Sequence, residues 1–142
     1  MFVKDLHLGV TGSRFTLPYE QLIGFSHVLW EISPEYIHHG DCTGADLMAH
    51  TIALKQGVKC VVHPPILTRY RAFTEKYHAI RQPKDYLARN RDIVNASSIL
   101  AAMPRSASEE AGGTWYTVRY ARKRGKTIYI IHPDGTIHTE EP

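Results

Sequence analysis

The chain has 142 residues, enough for one domain that buries roughly two-thirds of its unfolded surface without a disulfide or a metal. Hydrophobic residues make up 43% and charged residues 22%, and no apolar run approaches the roughly 18 residues of a membrane span, which excludes disordered, collagen-like and membrane-spanning classes. Two widely spaced cysteines, Cys42 and Cys60, indicate free thiols in a reducing cytoplasm, and no membrane partner is expected. The net charge of +3 is mild.

Short apolar strands alternate with helices along the chain. Pro18 suits the first position of a helix, whereas Gly57 and Gly125 are typical of the residue that follows one. The segment 66–82 has weak periodicity and stays unassigned, and the residues after the turn at 132–135 are expected to fray or to add a short edge strand. The pattern predicts, in chain order, a strand over 6–10, a helix from Pro18 to about Ser33, a strand over 36–39, a helix from about Ala45, a strand over 58–62, a helix over 85–95, a strand over 98–103, a helix over 114–124 and a strand over 127–131.

Uniformly apolar strands separated by helices predict an α/β fold with a parallel sheet covered on both faces. We expect a single Rossmann-like three-layer domain over residues 1–142, with a mainly parallel five-stranded sheet in the order 3-2-1-4-5, counting the predicted strands along the chain. The chain direction reverses between strands 1 and 4 of that order. A ligand is therefore expected at the carboxyl edge of the sheet, where the loops after these strands diverge.

Basic residues are concentrated in two stretches of the chain. Arginine and lysine outnumber acids between residues 63 and 91, and they recur between 119 and 126. Such clusters indicate either solvated faces or attraction of an anion, whether a small phosphate ligand or a nucleic acid strand. The basic insert at about 66–82 has no role that the sequence assigns.

The first loop of chemical interest follows the first strand and consists of Thr11, Gly12, Ser13 and Arg14. Gly12 lets the backbone approach a ligand closely, the two hydroxyls can hydrogen-bond to it, and the arginine offers a planar fork for phosphate or carboxylate. A glycine after a strand is also an ordinary turn, so this loop alone is weak evidence.

The second loop leads from a strand into a helix and has two glycines at a fixed spacing. Backbone N–H groups at a helix start favour an anion, which makes this junction a candidate ligand site. Asp41 is a candidate for binding a ribose hydroxyl or acting as a base, and Asp46 either orients a ligand or simply faces the positive helix end. We expect the helix start to lower the pKa of Cys42, although a small filling role suits this thiol better than catalysis. The candidate ligand-binding residues here are Gly40, Asp41, Thr43, Gly44 and Asp46.

The third loop carries a glycine pair before the last helix. Gly112 and Gly113 allow N–H groups to converge, and Thr114 or Ser108 can cap the helix while touching a phosphate. Glu109 and Glu110 would repel phosphate, so they either face the ribose or base, or face water. If the protein is an enzyme, these two glutamates and Asp41 are its candidate catalytic carboxylates.

Other conspicuous side chains favour structural roles. Several histidines are present, but none has the helical spacing with an intervening carboxylate that is typical of a zinc site, so no metal and no resident cofactor is predicted. Trp115 is expected in the core, whereas Tyr116 is the better candidate for stacking on a base.

In chain order, four sequence blocks resemble the SLOG superfamily of Rossmann-like domains. The superfamily includes the DNA-uptake protein DprA, the phosphoribohydrolases called LOG, the YpsA and YspA-like proteins, and the molybdenum-cofactor carriers. The resemblance covers nearly the whole chain except the basic insert. The blocks are Gly12-Ser13-Arg14, then His39-Gly40-Asp41-Cys42-Thr43-Gly44-Ala45-Asp46 with Ala49-His50, then Arg89-Asn90-Arg91-Asp92-Ile93-Val94, and finally Gly112-Gly113-Thr114.

The branches of this superfamily imply different functions. Sensor or carrier branches imply a nucleotide or nucleotide-derived ligand. The converging loops of this chain favour a phosphate on the glycine loops, with Arg14 and Arg91 as candidate charged clamps. The LOG branch implies cleavage of the N-glycosidic bond of nucleoside 5′-monophosphates, but Thr117 stands where that branch has a glutamate, so another carboxylate would have to serve. The DprA branch implies binding of single-stranded DNA, for which the basic clusters are suited. Small domains of the superfamily often pair through helices, so a homo-oligomer is expected.

Overall fold

A computed structural model describes residues 5–108 and 111–142 of the chain. The described residues form one sheet with helices on both of its faces, as the alternation of apolar strands and helices predicts. The elements are β1 (His7–Gly12), α1 (Tyr19–Ile32), β2 (Tyr36–His39), α2 (Ala45–Lys55), β3 (Lys59–Val62), β4 (Ala79–Ile80), α3 (Tyr86–Asn95), β5 (Ile99–Met103), α4 (Gly113–Lys123), β6 (Thr127–Ile131) and β7 (Ile137–Glu140).

The middle of the sheet has the predicted topology. Its strand order is β4-β3-β2-β1-β5-β6-β7, so the five predicted strands occupy the expected relative positions and are all parallel. The predicted number of five strands is wrong, because β4 pairs with the outer side of β3 and β7 pairs antiparallel with β6. Both additions are short edge strands with mostly exposed side chains, so no apolar run marks them in the sequence.

Two hydrophobic cores lie on opposite faces of the sheet. Side chains alternate along a strand, which places Leu8 and Val10 of β1 against α1 and α2, where Phe25 and Leu29 are fully buried. The other face carries Leu100 and Ala102 of β5, which pack under α4. Because both faces of the central sheet are covered, β5 consists entirely of apolar residues.

The topology opens a crevice beside β1. This strand pairs with β2 on one side and with β5 on the other, so the loops after β1 and β5 lead to helices on opposite faces. In sheets of this kind, the divergence of those loops leaves room for a ligand. Within the described residues, no helix is long and apolar enough to cross a lipid bilayer.

Candidate ligand-binding site

A cavity of about 570 Å³ lies at the carboxyl ends of β1, β2 and β5, between the first turns of α3 and α4. This volume falls in the range of small-molecule sites. Nine of the residues predicted to bind a ligand come together in its walls, from all three glycine-bearing loops. They are Thr11, Gly12, Ser13, Arg14, Gly40, Asp46, Gly112, Gly113 and Thr114.

The loop after β1 is fixed in place by backbone hydrogen bonds. The Ser13 N–H donates to the carbonyl of Met103 at 3.0 Å, and the Ala45 N–H donates to the carbonyl of Ser13 at 2.8 Å. The Thr43 hydroxyl donates to the carbonyl of Arg14 at 3.0 Å. These hydrogen bonds tie the loop to the end of β5 and to the start of α2, so Arg14 is held in a defined position.

The start of α2 is occupied by the protein's own groups. The Asp46 carboxylate accepts hydrogen bonds from the N–H groups of Gly40 at 3.1 Å and Cys42 at 3.2 Å, and the Thr43 N–H donates to the carbonyl of Tyr70. Gly44 has φ of 82°, and a Cβ there would overlap the carbonyl oxygen of Ser13, so this junction requires a glycine. Because its N–H groups already have acceptors, this junction is less suited to an anion than the sequence pattern indicates.

Two ionisable groups at the bottom of the cavity have raised pKa values. Burial raises the pKa of Asp46 to about 6, against the opposing charge of the Arg89 guanidinium. Burial, together with the nearby Asp46 carboxylate, also raises the pKa of the Cys42 thiol. The expectation that a helix start lowers this pKa is wrong, because the thiol is largely removed from water beside a carboxylate. Cys42 is therefore a poor nucleophile and fills space in the wall.

Arg89 and Asn90 on α3, which the sequence marks as part of the resemblance but not as site residues, form a buried polar wall. The Nη1 of Arg89 donates to the carbonyls of Gly40 and His63, and its Nε donates to Oδ1 of Asn90 at 2.7 Å. Oδ1 of Asn90 is thereby fixed as the acceptor, so its Nδ2 carries two hydrogens. No hydrogen bond from this Nδ2 is found among the described residues, and it lies close to Gly113 in the cavity wall.

The first turn of α4 faces the cavity with backbone N–H groups for which no acceptor is found among residues 5–108 and 111–142. The helix begins at Gly113 after Gly112, and no side chain among the described residues caps it. The first N–H groups of a helix have no partner within the helix, and its macrodipole makes this end positive. Arg105, which follows β5 and was not predicted as a site residue, lines the same cavity and stacks on Phe15 with its guanidinium 4.5 Å from the ring centre.

Four predicted site residues do not line this cavity. The Nη1 group of Arg91 instead donates a hydrogen bond to the hydroxyl of Tyr116 at 2.8 Å. Tyr116, which was predicted to stack on a base, is therefore bound to Arg91. Thr43 and Gly44 line a neighbouring cavity. Asp41, the fourth, is engaged elsewhere, as described next. Glu109 and Glu110 lie outside the described residues, so the structure does not place the two predicted catalytic glutamates.

Asp41 holds the basic insert rather than facing the cavity. Residues 69–75, called the strap from here on, lie across the loop after β2. Arg71 donates its Nε to Oδ2 of Asp41 at 2.7 Å, and Thr74 donates both its N–H and its hydroxyl to Oδ1. Although burial opposes the shift, these hydrogen bonds lower the pKa of Asp41. The carboxylate predicted to bind ribose or to act as a base is thus used to attach the strap.

A buried cluster of His39, His50 and Cys60 has the composition of a metal site, with its ligand atoms within 4.8 Å of one another. The hydrogen bonds favour a different role. Asp41 donates its N–H to Nδ1 of His39, so that nitrogen is unprotonated and Nε2 carries the hydrogen, which it donates to Nδ1 of His50 at 2.8 Å. Nε2 of His50 then donates to the carbonyl of Glu75. A neutral relay of two histidines satisfies every ring nitrogen, whereas a metal would need the nitrogen of His39 that bears the hydrogen.

Strand order and the position of the cavity define a Rossmann-like α/β fold. No protein-family model matches the chain, and no curated protein matches it in sequence. The fold is shared with a molybdenum cofactor binding protein from Rippkaea orientalis, at a TM-score of 0.69 and 18% identity over 92% of this chain and 78% of that one. It is also shared with the molybdenum cofactor carrier protein of Chlamydomonas reinhardtii, at a TM-score of 0.65 and 18% identity over 89% of this chain and 76% of that one.

A third similar structure belongs to a longer protein. It is DNA processing protein A (DprA) from Streptococcus pneumoniae, which matches with a TM-score of 0.65 and 20% identity. The match covers 89% of this chain but half of that one. The resemblance to proteins of this type is confirmed at the level of the fold, since identities this low show the fold alone.

Proposed function

We propose that the chain binds a nucleotide or nucleotide-derived phosphate ligand in the cavity at the carboxyl edge of the sheet and acts as a sensor or carrier module. The observation that carries this proposal is the uncapped start of α4, which faces the same cavity as Arg14, Arg105 and the Nδ2 group of Asn90. Backbone N–H groups at a positive helix end, combined with arginines, are a typical phosphate site.

The rest of the cavity suits the nucleoside. Tyr86, Leu87 and Phe15 give its walls aromatic and apolar surface beside the polar groups, a combination that ring-bearing ligands require. Two of the similar structures are described as a binding protein and a carrier protein for the molybdenum cofactor, which supports a carrier role for this fold. Among the described residues, Asp46 is the one carboxylate in the cavity wall, and it is buried and hydrogen-bonded, which favours binding over N-glycosidic cleavage.

A second candidate function, binding of single-stranded nucleic acid, is favoured by a row of stacked side chains beside the cavity. In this row Arg105 and Arg14 flank the Phe15 ring, and Arg14 and Arg69 flank the Tyr70 ring. Alternating cations and aromatic rings are a common surface for nucleic acid strands. DNA processing protein A, which shares the fold, supports the same possibility.

Thermal unfolding against a panel of ligands tests the proposal. A nucleotide at about a hundred times its dissociation constant adds roughly 2.7 kcal/mol, which raises the Tm of a domain of this size by about 6–10 °C. We expect such a shift with one class of nucleoside phosphate, and no free base in the same samples. A shift with a short oligonucleotide alone, lost as salt is raised, would favour the second candidate. Release of free base would favour the hydrolase, and no shift with any ligand would contradict binding.

A further inference from the structure

A second cavity, of about 540 Å³, lies on the other side of the loop that follows β1. It shares Arg14 and Phe15 with the first cavity, so the two cavities adjoin each other along this loop. Its remaining walls are mostly apolar and include Leu17, Leu22, Leu47, Met48 and Tyr70, together with Thr43 and Gly44. The two cavities are similar in volume, and each falls in the range of small-molecule sites.

Arg14 lies at the boundary between the two cavities. Its guanidinium stacks on the Tyr70 ring with 4.1 Å between the guanidinium carbon and the ring centre, and no acidic partner is found for it among the described residues. The face of the guanidinium is thus used for stacking while its N–H edge stays available to an anion. No other charged side chain lines the second cavity in the described part of the chain.

We propose that the ligand is a dinucleotide, with one nucleoside in each cavity and the phosphates that join them bound by Arg14. This inference rests on the proposed function and names the class of nucleotide. A mononucleotide with its phosphate at the start of α4 leaves the second cavity empty, whereas the apolar wall of Leu22, Leu47 and Met48 suits a second uncharged ring system. Joining the two halves makes binding of the second one intramolecular, so the dinucleotide gains affinity over either half.

The test compares adenosine monophosphate and diphosphate with diadenosine diphosphate, and the guanosine series in parallel, by titration calorimetry. Leu47→Gln removes apolar wall from the second cavity, and Leu54→Gln is its matched control. Both leucines lie on α2 and are 37% and 38% exposed, but Leu54 lines neither cavity. Since both positions are partly exposed, both variants are expected to fold, and their Tm values verify this.

We expect the wild-type protein to bind the dinucleotide at least tenfold more tightly than the mononucleotide. Leu47→Gln is expected to weaken binding of the dinucleotide at least fivefold and to change the affinity for the mononucleotide by less than twofold. Leu54→Gln is expected to change neither affinity. Equal affinity for the two ligand classes, or equal weakening of both by Leu47→Gln, would overturn the dinucleotide while leaving nucleotide binding intact. Absence of binding by every compound in both series would overturn the proposed function and this inference together.

Discussion

Arg14 is held by stacking while its hydrogen-bond donors stay available, which is the state that a phosphate-binding arginine needs. We expect Arg14→Ala to weaken binding of nucleoside phosphates about tenfold or more, because a hydrogen bond to a charged group contributes about 1.5–3 kcal/mol. The matched control is Arg69→Ala, which removes the same charge from a guanidinium 5.1 Å from the centre of the Tyr70 ring, at a residue that lines neither cavity. If the affinity of Arg14→Ala, measured by calorimetry, stays within twofold of the wild-type value, Arg14 does not bind the phosphate.

Side chains next to strand ends could be predicted as site residues, whereas the choice of side chains on α3 was wrong: Arg91 was predicted but does not line the cavity, and Arg89 and Asn90 line it instead. Gly12 and Arg14 follow an apolar run, so the sequence itself marks the point where a buried strand opens into a loop. Arg89 has no comparable local mark, because its role comes from reaching Gly40, which lies 49 positions earlier in the chain. The engagement of Asp41 by Arg71 and Thr74 was equally invisible, since it depends on how the strap crosses the loop.

Among the elements, the strap depends on one buried carboxylate. Asp41→Asn keeps a side chain that tolerates the observed φ of 58° but removes the charge that pairs with Arg71. We expect trypsin to cleave the variant within the strap about tenfold faster under native conditions, because local opening loses a charge-assisted hydrogen bond of roughly 1.5–3 kcal/mol. Asp134→Asn, in an exposed turn, is the control and should cleave like wild type. An unchanged rate for Asp41→Asn would show that the strap is held by other contacts.

Central strands and helices were predictable from the sequence because each carries its own periodic pattern. The predicted helix over 85–95 is observed as Tyr86–Asn95, and the strand over 127–131 is observed unchanged. β4 has two residues and exists only because β3 offers an edge, so its pairing partner rather than its own sequence defines it. Elements that are held mainly by pairing with a neighbouring strand cannot be predicted from local periodicity.

At the scale of the whole molecule, buried histidines connect the sheet to the strap and to the cavity wall. His7, His38 and His63 form a hydrogen-bonded row across β1, β2 and the end of β3, with ring nitrogens 2.7 and 2.9 Å apart. His39 and His50 form the second relay, on the opposite face. Burial lowers the pKa of His38, His39 and His63 in these rows, so the stability of the fold is sensitive to their protonation. The predicted homo-oligomer and cytoplasmic location stay predictions.

Acidification is therefore expected to destabilise the protein well before its surface carboxylates titrate. Burial lowers the pKa of His38 and His39 to about 3 and that of His63 to about 4, from 6.5. In each case the unfolded chain binds the proton more readily, so the stability present above pH 6.5 is lost as the pH falls toward 4. Asp46 has the opposite effect. Because its pKa is raised to about 6, the native state binds this proton more readily than the unfolded chain, and stability rises as the pH falls below 6. This contribution offsets that of one histidine.

Three histidines offset by Asp46 leave two unmatched groups, and each contributes about 1.4 kcal/mol per pH unit. The net slope is therefore expected to approach about 3 kcal/mol per pH unit between about pH 6 and 4.5. Urea unfolding at pH 7, 6 and 5 measures it. His38→Gln removes one titrating group from the row and should give a shallower slope, whereas His27→Gln, exposed on α1 beside Glu31, should leave the slope unchanged. If His38→Gln and His27→Gln both retain the wild-type slope, the buried histidines do not cause the acid sensitivity of the fold. The loss of stability would then come from carboxylates such as Asp41. Because the pKa of Asp41 is lowered, its effect on stability falls at a lower pH.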